Sequence, residues 1–155
     1  MKRENIVQLL ATAIALLFFY AAISKLLDYT QSRQQMLAQV FPRFIALQLV
    51  WAVPVAELLI VFGLLFNPAR LKSLYASLVL LTLFTIYIAA AMTGVFGRIP
   101  CSCGGILSGL GYWDHLLFNF FFILLAVVAI AFEKRNGSVK IWFHPVSRKE
   151  GTGIN

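Results

Sequence analysis

Apolar residues fall along this chain in four long runs, separated by shorter segments that hold most of the polar residues, glycines and prolines. The runs cover about residues 6–27, 44–66, 73–96 and 113–132. A helix needs roughly 20 apolar residues to cross the hydrocarbon core of a bilayer, and each run reaches that length. The pattern predicts an all-α integral membrane protein, a bundle of four transmembrane helices, with residues 1–132 forming one domain and residues 133–155 a basic tail.

The segment between the first two runs has a pattern of its own. Ser32 is suited to cap a helix, and apolar side chains recur after it at helical spacing. The recurring positions are Met36, Leu37, Val40, Phe41 and Phe44. We therefore expect a short interfacial helix between helices 1 and 2 that covers the outer mouth of the bundle.

Composition is typical of a membrane protein, and the distribution of charge predicts the orientation of the chain in the membrane. The chain is 61% hydrophobic and 12% charged, with a net charge of +7. Cytoplasmic segments of membrane proteins are enriched in lysine and arginine. One side of the predicted bundle carries nine basic residues, namely Lys2, Arg3, Arg70, Lys72, Lys134, Arg135, Lys140, Arg148 and Lys149. The other side carries Lys25, Arg33, Arg43 and Arg98.

This distribution predicts a multi-pass protein of the bacterial inner membrane with both termini in the cytoplasm. The loop between the third and fourth runs then lies in the periplasm, where disulfides persist. The positive charge is explained by topology, so we expect the lipid bilayer and no nucleic acid as a partner.

The two cysteines of the chain, Cys101 and Cys103, lie one residue apart in this glycine-rich loop. Such a pair can cycle between dithiol and disulfide, or offer two thiolates to a soft metal ion. A disulfide between them would close a very small ring, which suits exchange better than bracing. The alternative is that both thiols are inert and serve neither redox exchange nor metal binding.

Polar residues inside the runs are the other candidates. Glu57 lies at membrane depth and needs a polar partner, for which Lys25 is the first candidate and Tyr87 or Asn119 are neutral alternatives. The carboxylate would serve either as a structural ion pair or in a proton relay. Lys25 is by default a side chain that snorkels to the interface, and Tyr87 by default a packing residue.

Helix 4 places His115 and Asn119 four residues apart on one face. The imidazole could be a hydrogen-bonded interfacial side chain, a general base, or a third ligand to Cu(I) beside Cys101 and Cys103. Asn119 is most simply an amide that joins helices.

These residues resemble those of the MauE/DoxX-like redox-associated membrane proteins. The resemblance covers most of the chain and is carried by residues 19–26, 54–57, 84–87 and 101–105 and by Trp113, His115 and Asn119. It implies a four-helix bundle with a role in periplasmic thiol and disulfide handling, since MauE is associated with the maturation of a disulfide-rich methylamine dehydrogenase subunit beside a thioredoxin-like partner. Quinone-linked DoxX relatives leave room for a quinone cofactor.

The leading hypothesis is a thiol–disulfide redox protein in which Cys101, Cys103 and His115 are catalytic and Lys25, Glu57, Tyr87 and Asn119 support them. One thiolate would attack the disulfide of a thioredoxin-like partner or client, and the second cysteine would resolve the mixed disulfide. Two alternatives stay open: a non-enzymatic assembly subunit of a larger envelope complex, and a copper carrier. Whether the protein is an enzyme depends on which of the three is right.

Overall fold

Five helices make up the part of the chain that the structure, a computed structural model, describes: residues 3–39, 42–93 and 112–142. They are α1 (Arg3–Leu27), α2 (Tyr29–Leu37), α3 (Arg43–Leu65), α4 (Asn67–Met92) and α5 (Tyr112–Trp142). Helices α1, α3, α4 and α5 each contain a stretch long and apolar enough to cross a membrane. The predicted fold class, four long apolar helices with a short helix between the first two, is confirmed.

Helices α4 and α5 are each longer at one end than the sequence-based estimate. Helix α4 begins at Asn67 rather than near Ser73, with Pro68 in its first turn. Proline fits there because a backbone N–H group in the first turn of a helix has no hydrogen-bond acceptor within the helix, so its absence in proline costs nothing. Helix α5 continues past Phe132 to Trp142.

Helix α2 begins earlier than predicted, because Asp28 and not Ser32 is its N-cap. The Asp28 carboxylate accepts a hydrogen bond from the backbone N–H of Gln31 at 3.3 Å. The helix ends at Leu37 and packs against α3 and α1. Of the residues in the predicted apolar pattern, Val40 and Phe41 lie outside the described residues. The location of α2 at the membrane interface stays a prediction.

The four long helices are arranged as an up-and-down bundle. Helix α1 packs beside α3 and α5, α4 also packs beside α3 and α5, and α1 and α4 face each other diagonally with few contacts. We call the two ends of the bundle the loop end and the turn end. At the loop end, α1 and α4 finish and α3 and α5 begin; at the turn end, Phe66 joins α3 to α4.

The apolar core belongs to the half of the bundle nearer the turn end. Its buried members come from all four long helices: Ala11, Ile14, Ala15, Phe18, Ile60, Val61, Leu64, Leu74, Leu81, Ala126, Ala129 and Ile130. Close approach of α3 and α4 depends on Gly63, because a Cβ atom there would lie 1.9 Å from Ser73 Oγ and 3.0 Å from Ser73 Cβ. Small residues let membrane helices pack closely in this way.

Candidate functional site

A buried ion pair lies at the loop end of the bundle. Lys25 Nζ, near the end of α1, is 2.7 Å from Glu57 Oε1 on α3, and the two side chains are 13% and 3% exposed. The ammonium also donates a hydrogen bond to the carbonyl oxygen of Ala21, one turn earlier in α1, at 3.2 Å. The prediction that Lys25 is the partner of Glu57 is confirmed, and neither Tyr87 nor Asn119 takes that place.

The direction of the lysine corrects one expectation. Lys25 does not snorkel outward; its ammonium turns back into the bundle. Side chains on a helix lean toward the helix N-terminus, so Lys25 leans inward from the end of α1. Glu57 lies on α3, which runs the opposite way, and therefore leans toward the loop end. The antiparallel arrangement brings the two charged groups together.

Helix α5 adds two polar side chains to the same end. His115 is 9% exposed and Asn119 is 6% exposed, so both face the interior of the bundle. Helix α5 packs against α1, and both His115 and Lys25 lie at the loop end, so the imidazole is at the same end of the bundle as the ion pair. Asn119 follows one turn deeper along the helix. We call Lys25, Glu57, His115 and Asn119 the polar cluster.

Two buried atoms of the polar cluster have no hydrogen-bond partner among the described residues. They are Glu57 Oε2 and Asn119 Nδ2. Nearly all buried polar atoms in proteins are hydrogen-bonded, and each exception needs a physical explanation, such as a bound water or a functional role. One of these atoms is an acceptor and the other a donor, so the cluster can hydrogen-bond a small polar molecule or exchange a proton.

A second polar contact connects α4 to the chain just after α2. The Tyr87 hydroxyl donates a hydrogen bond to Gln39 Oε1, and Gln39 is 8% exposed. Tyr87 therefore has a specific polar partner beyond its expected role in packing. Gln39 was not predicted as a site residue from the sequence. The feature that could have revealed it is its position, because its amide lies among the apolar residues of the amphipathic pattern.

An apolar groove runs between α2, α3 and α4 next to this contact. Its volume is about 350 Å³, and its lining residues are Met36, Gln39, Leu49, Val53, Leu83, Phe84 and Tyr87. A smaller cavity of about 40 Å³ shares Met36, Gln39, Val53 and Phe84 with the groove and extends to Lys25. The groove thus leads from the Gln39–Tyr87 contact toward the ion pair.

Cys101 and Cys103 lie outside the described residues, which stop at Thr93 and resume at Tyr112. Their predicted redox role stays a prediction, and so does the copper site that would combine them with His115. The structure does describe the last turn of α4 and the first turn of α5, between which the cysteine segment is inserted.

The fold and the polar cluster define the class of the protein. It is a multi-pass helical membrane protein with buried charged and polar side chains at one end of its bundle. A model of the family described as methylamine utilisation protein MauE matches residues 3–132. The chain belongs to this family, as the sequence resemblance predicted. No curated protein and no solved structure matched the chain.

Proposed function

We propose that this protein is a membrane thiol redox protein of methylamine utilisation, which exchanges electrons with a periplasmic thioredoxin-like partner or client through Cys101 and Cys103. The family description supplies the metabolic setting. The observation that carries the proposal is the buried polar cluster at the loop end. The segment with the cysteines leaves α4 and enters α5 at this same end.

The reaction is a thiol–disulfide exchange. One cysteine thiolate attacks a sulfur of the partner disulfide, and a mixed disulfide forms while the other partner sulfur leaves as a thiolate. The second cysteine then attacks the mixed disulfide. The Cys101–Cys103 pair ends as a disulfide and the partner as a dithiol, so two electrons pass to the partner. The reverse sequence passes them back.

The polar cluster would serve the proton transfers of this exchange. Each attacking thiol must lose a proton, and an imidazole is the side chain best suited to accept one near neutral pH. His115 lies about one turn into α5, at the same end of the bundle as the Lys25–Glu57 pair.

A redox titration tests the chemistry. The protein in lipid nanodiscs is equilibrated with mixtures of reduced and oxidised dithiothreitol, quenched with acid and labelled with a mass-tagged maleimide. We expect one two-electron transition in which both cysteines gain or lose the label together. Ser102→Ala is the matched control in the same loop and should keep the transition, whereas Cys101→Ser and Cys103→Ser should each abolish it. Cysteines that stay fully labelled across the whole range would overturn the proposal and favour the assembly-subunit alternative.

The role of His115 has its own measurement. With oxidised glutathione as the disulfide substrate, His115→Ala should slow the exchange at least tenfold, on the scale of general-base catalysis. Asp114→Ala changes an exposed neighbour on the same turn and should leave the rate unchanged. Equal rates in all three proteins would remove His115 from the mechanism.

The proposal includes an orientation in the bacterial inner membrane. Both termini would lie in the cytoplasm and the cysteine segment in the periplasm, because most basic residues flank the turn end and the tail. A membrane-impermeant maleimide should label reduced cysteines in intact spheroplasts. Labelling that occurs only after lysis would reverse the orientation.

A further inference from the structure

Two lysines border one aromatic ring at the turn end of the bundle, on the surface that α4 and α5 share. Lys134 Nζ of α5 lies 5.4 Å from the centre of the Tyr75 ring of α4, which is a cation–π contact. Lys72 precedes Tyr75 by three residues, and residues at this spacing are neighbours on one face of a helix. Both lysines are exposed. We call Lys72, Tyr75 and Lys134 the lysine patch.

The positive charge of the lysine patch is not neutralised by a carboxylate among the described residues. Glu133, next to Lys134 in the chain, accepts two hydrogen bonds from Arg70, and that pair has no net charge. Glu4, the other acidic residue described at the turn end, lies on α1, which has few contacts with α4. The patch can therefore attract an anionic group.

The lysine patch lies where the spanning helices leave the hydrocarbon core. The stretch of α5 that could cross a membrane ends at Arg135, one residue after Lys134. Lys72 lies in the second turn of α4, which begins at Asn67. Lysine and tyrosine are favoured at this depth, because their apolar parts meet lipid chains while their polar tips reach the head groups. Lipid phosphates lie at the same depth.

An apolar surface continues from the lysine patch toward the middle of the bundle. Val127 lies seven residues before Lys134, which is two helical turns, so the two share a face of α5. Val79 and Ile86 follow Tyr75 at helical spacing on α4. These three apolar side chains are 47%, 57% and 60% exposed. In a membrane they face lipid, and acyl chains can lie along them.

We propose that the lysine patch binds the head group of an anionic phospholipid, with the phosphate near Lys72 and Lys134 and the acyl chains along the surface between α4 and α5. Charge favours an anionic lipid over a zwitterionic one, because the head group of phosphatidylcholine brings its own cation toward the two ammonium groups. The site lies at the opposite end of the bundle from the polar cluster. It does not depend on the proposed thiol chemistry.

Native mass spectrometry of the full chain in detergent micelles tests the preference. The probes are phosphatidylglycerol and phosphatidylcholine with identical acyl chains, each added in a titration. A lysine near a membrane surface strengthens the binding of anionic lipid by about fivefold. We therefore expect the first phosphatidylglycerol to bind at least tenfold more tightly than the first phosphatidylcholine. Equal affinities would overturn the proposal.

Double variants at the two ends of the bundle give a matched comparison. Lys72→Gln, Lys134→Gln should weaken the binding of phosphatidylglycerol at least tenfold. Arg33→Gln, Arg43→Gln removes two charges at the loop end and should change it less than twofold. Lys72→Arg, Lys134→Arg keeps both charges and should bind within twofold of the unaltered protein, which separates loss of charge from a folding defect. Equal losses in the two glutamine variants would overturn the proposal.

Photo-crosslinking locates the bound lipid. The probe is a photoactivatable phosphatidylglycerol added to the protein in nanodiscs of phosphatidylcholine, with the labelled peptides identified by mass spectrometry. We expect saturable labelling of the first turns of α4 and of α5 near Lys134. Saturable labelling confined to other helices would overturn the proposed location.

Discussion

The two halves of the bundle use the same four helices in different ways. In the half nearer the turn end, alanine, isoleucine, leucine and phenylalanine side chains fill the interior. In the half nearer the loop end, a carboxylate, an ammonium, an imidazole and a carboxamide are buried among apolar side chains such as Ala22, Ala46 and Val50. Buried polar groups in a membrane are expensive and are retained mainly where they serve a function. The contrast separates the half that holds most of the apolar core from the half that holds the candidate site.

An ion pair in each half makes the contrast quantitative. Arg70 donates from Nε and Nη2 to Glu133 Oε1 at 3.3 and 3.2 Å near the turn end. Its two side chains are 15% and 16% exposed, whereas Glu57 of the loop-end pair is only 3% exposed. Removal of one partner is costly in proportion to how deeply the other partner is left buried.

The largest expected effect is that of Lys25→Met. It leaves the buried Glu57 carboxylate without its cation and should lower the free energy of unfolding by about 3–5 kcal/mol. The double variant Lys25→Met, Glu57→Leu should recover most of that loss, because two apolar side chains have no charge to compensate. Reversible unfolding in mixed micelles measures both, and a double variant as unstable as Lys25→Met would contradict the explanation.

The next effect tests the packing half. Gly63→Ala forces a Cβ against Ser73 and should destabilise the protein by about 1–3 kcal/mol, the range for overpacked cores. Adding Ser73→Gly removes the clashing atoms and should restore part of the stability. If the changes in the free energy of unfolding caused by the two substitutions simply add in a double-mutant cycle, the contact between Gly63 and Ser73 does not determine how closely α3 and α4 pack.

A smaller effect of the opposite sign is expected in the polar half. Asn119→Leu removes a buried amide whose Nδ2 has no hydrogen-bond partner among the described residues. It should raise the free energy of unfolding by about 1 kcal/mol, since an unsatisfied buried donor costs about that much or more. The same variant should slow exchange with oxidised glutathione. Lower stability together with unchanged exchange would show that Asn119 is a purely structural amide.

The smallest effect is expected from Arg70→Met. The Arg70–Glu133 pair is part-buried, with side chains 15% and 16% exposed, so loss of one partner leaves the other nearer to water than Glu57 and should cost about 1 kcal/mol. The free energy of unfolding should fall by no more than that amount. A loss as large as that of Lys25→Met would mean that burial does not distinguish the two ends of the molecule.

Much of the fold was predictable from the sequence, because in a membrane the length of an apolar run alone identifies a spanning helix. The apolar surroundings also predicted that Glu57 has a polar partner, because an unpaired charge inside a membrane is costly, and Lys25 was the first candidate. The start of α2 was not predicted, because Asp28 and Ser32 are both good N-caps. Only the structure showed that Asp28 takes this position.

The sequence by itself determined four membrane-spanning helices, a short helix between the first two, and the polar residues that must find partners. The tertiary structure decided which helix faces meet: the inward turn of Lys25, the Gln39–Tyr87 contact and the groove beside it. The reason is that lipid and protein interior are both apolar, so the hydrophobic pattern of a spanning helix does not mark its buried face. That face is set by how four helices rotate against one another, which depends on contacts between residues far apart in the chain.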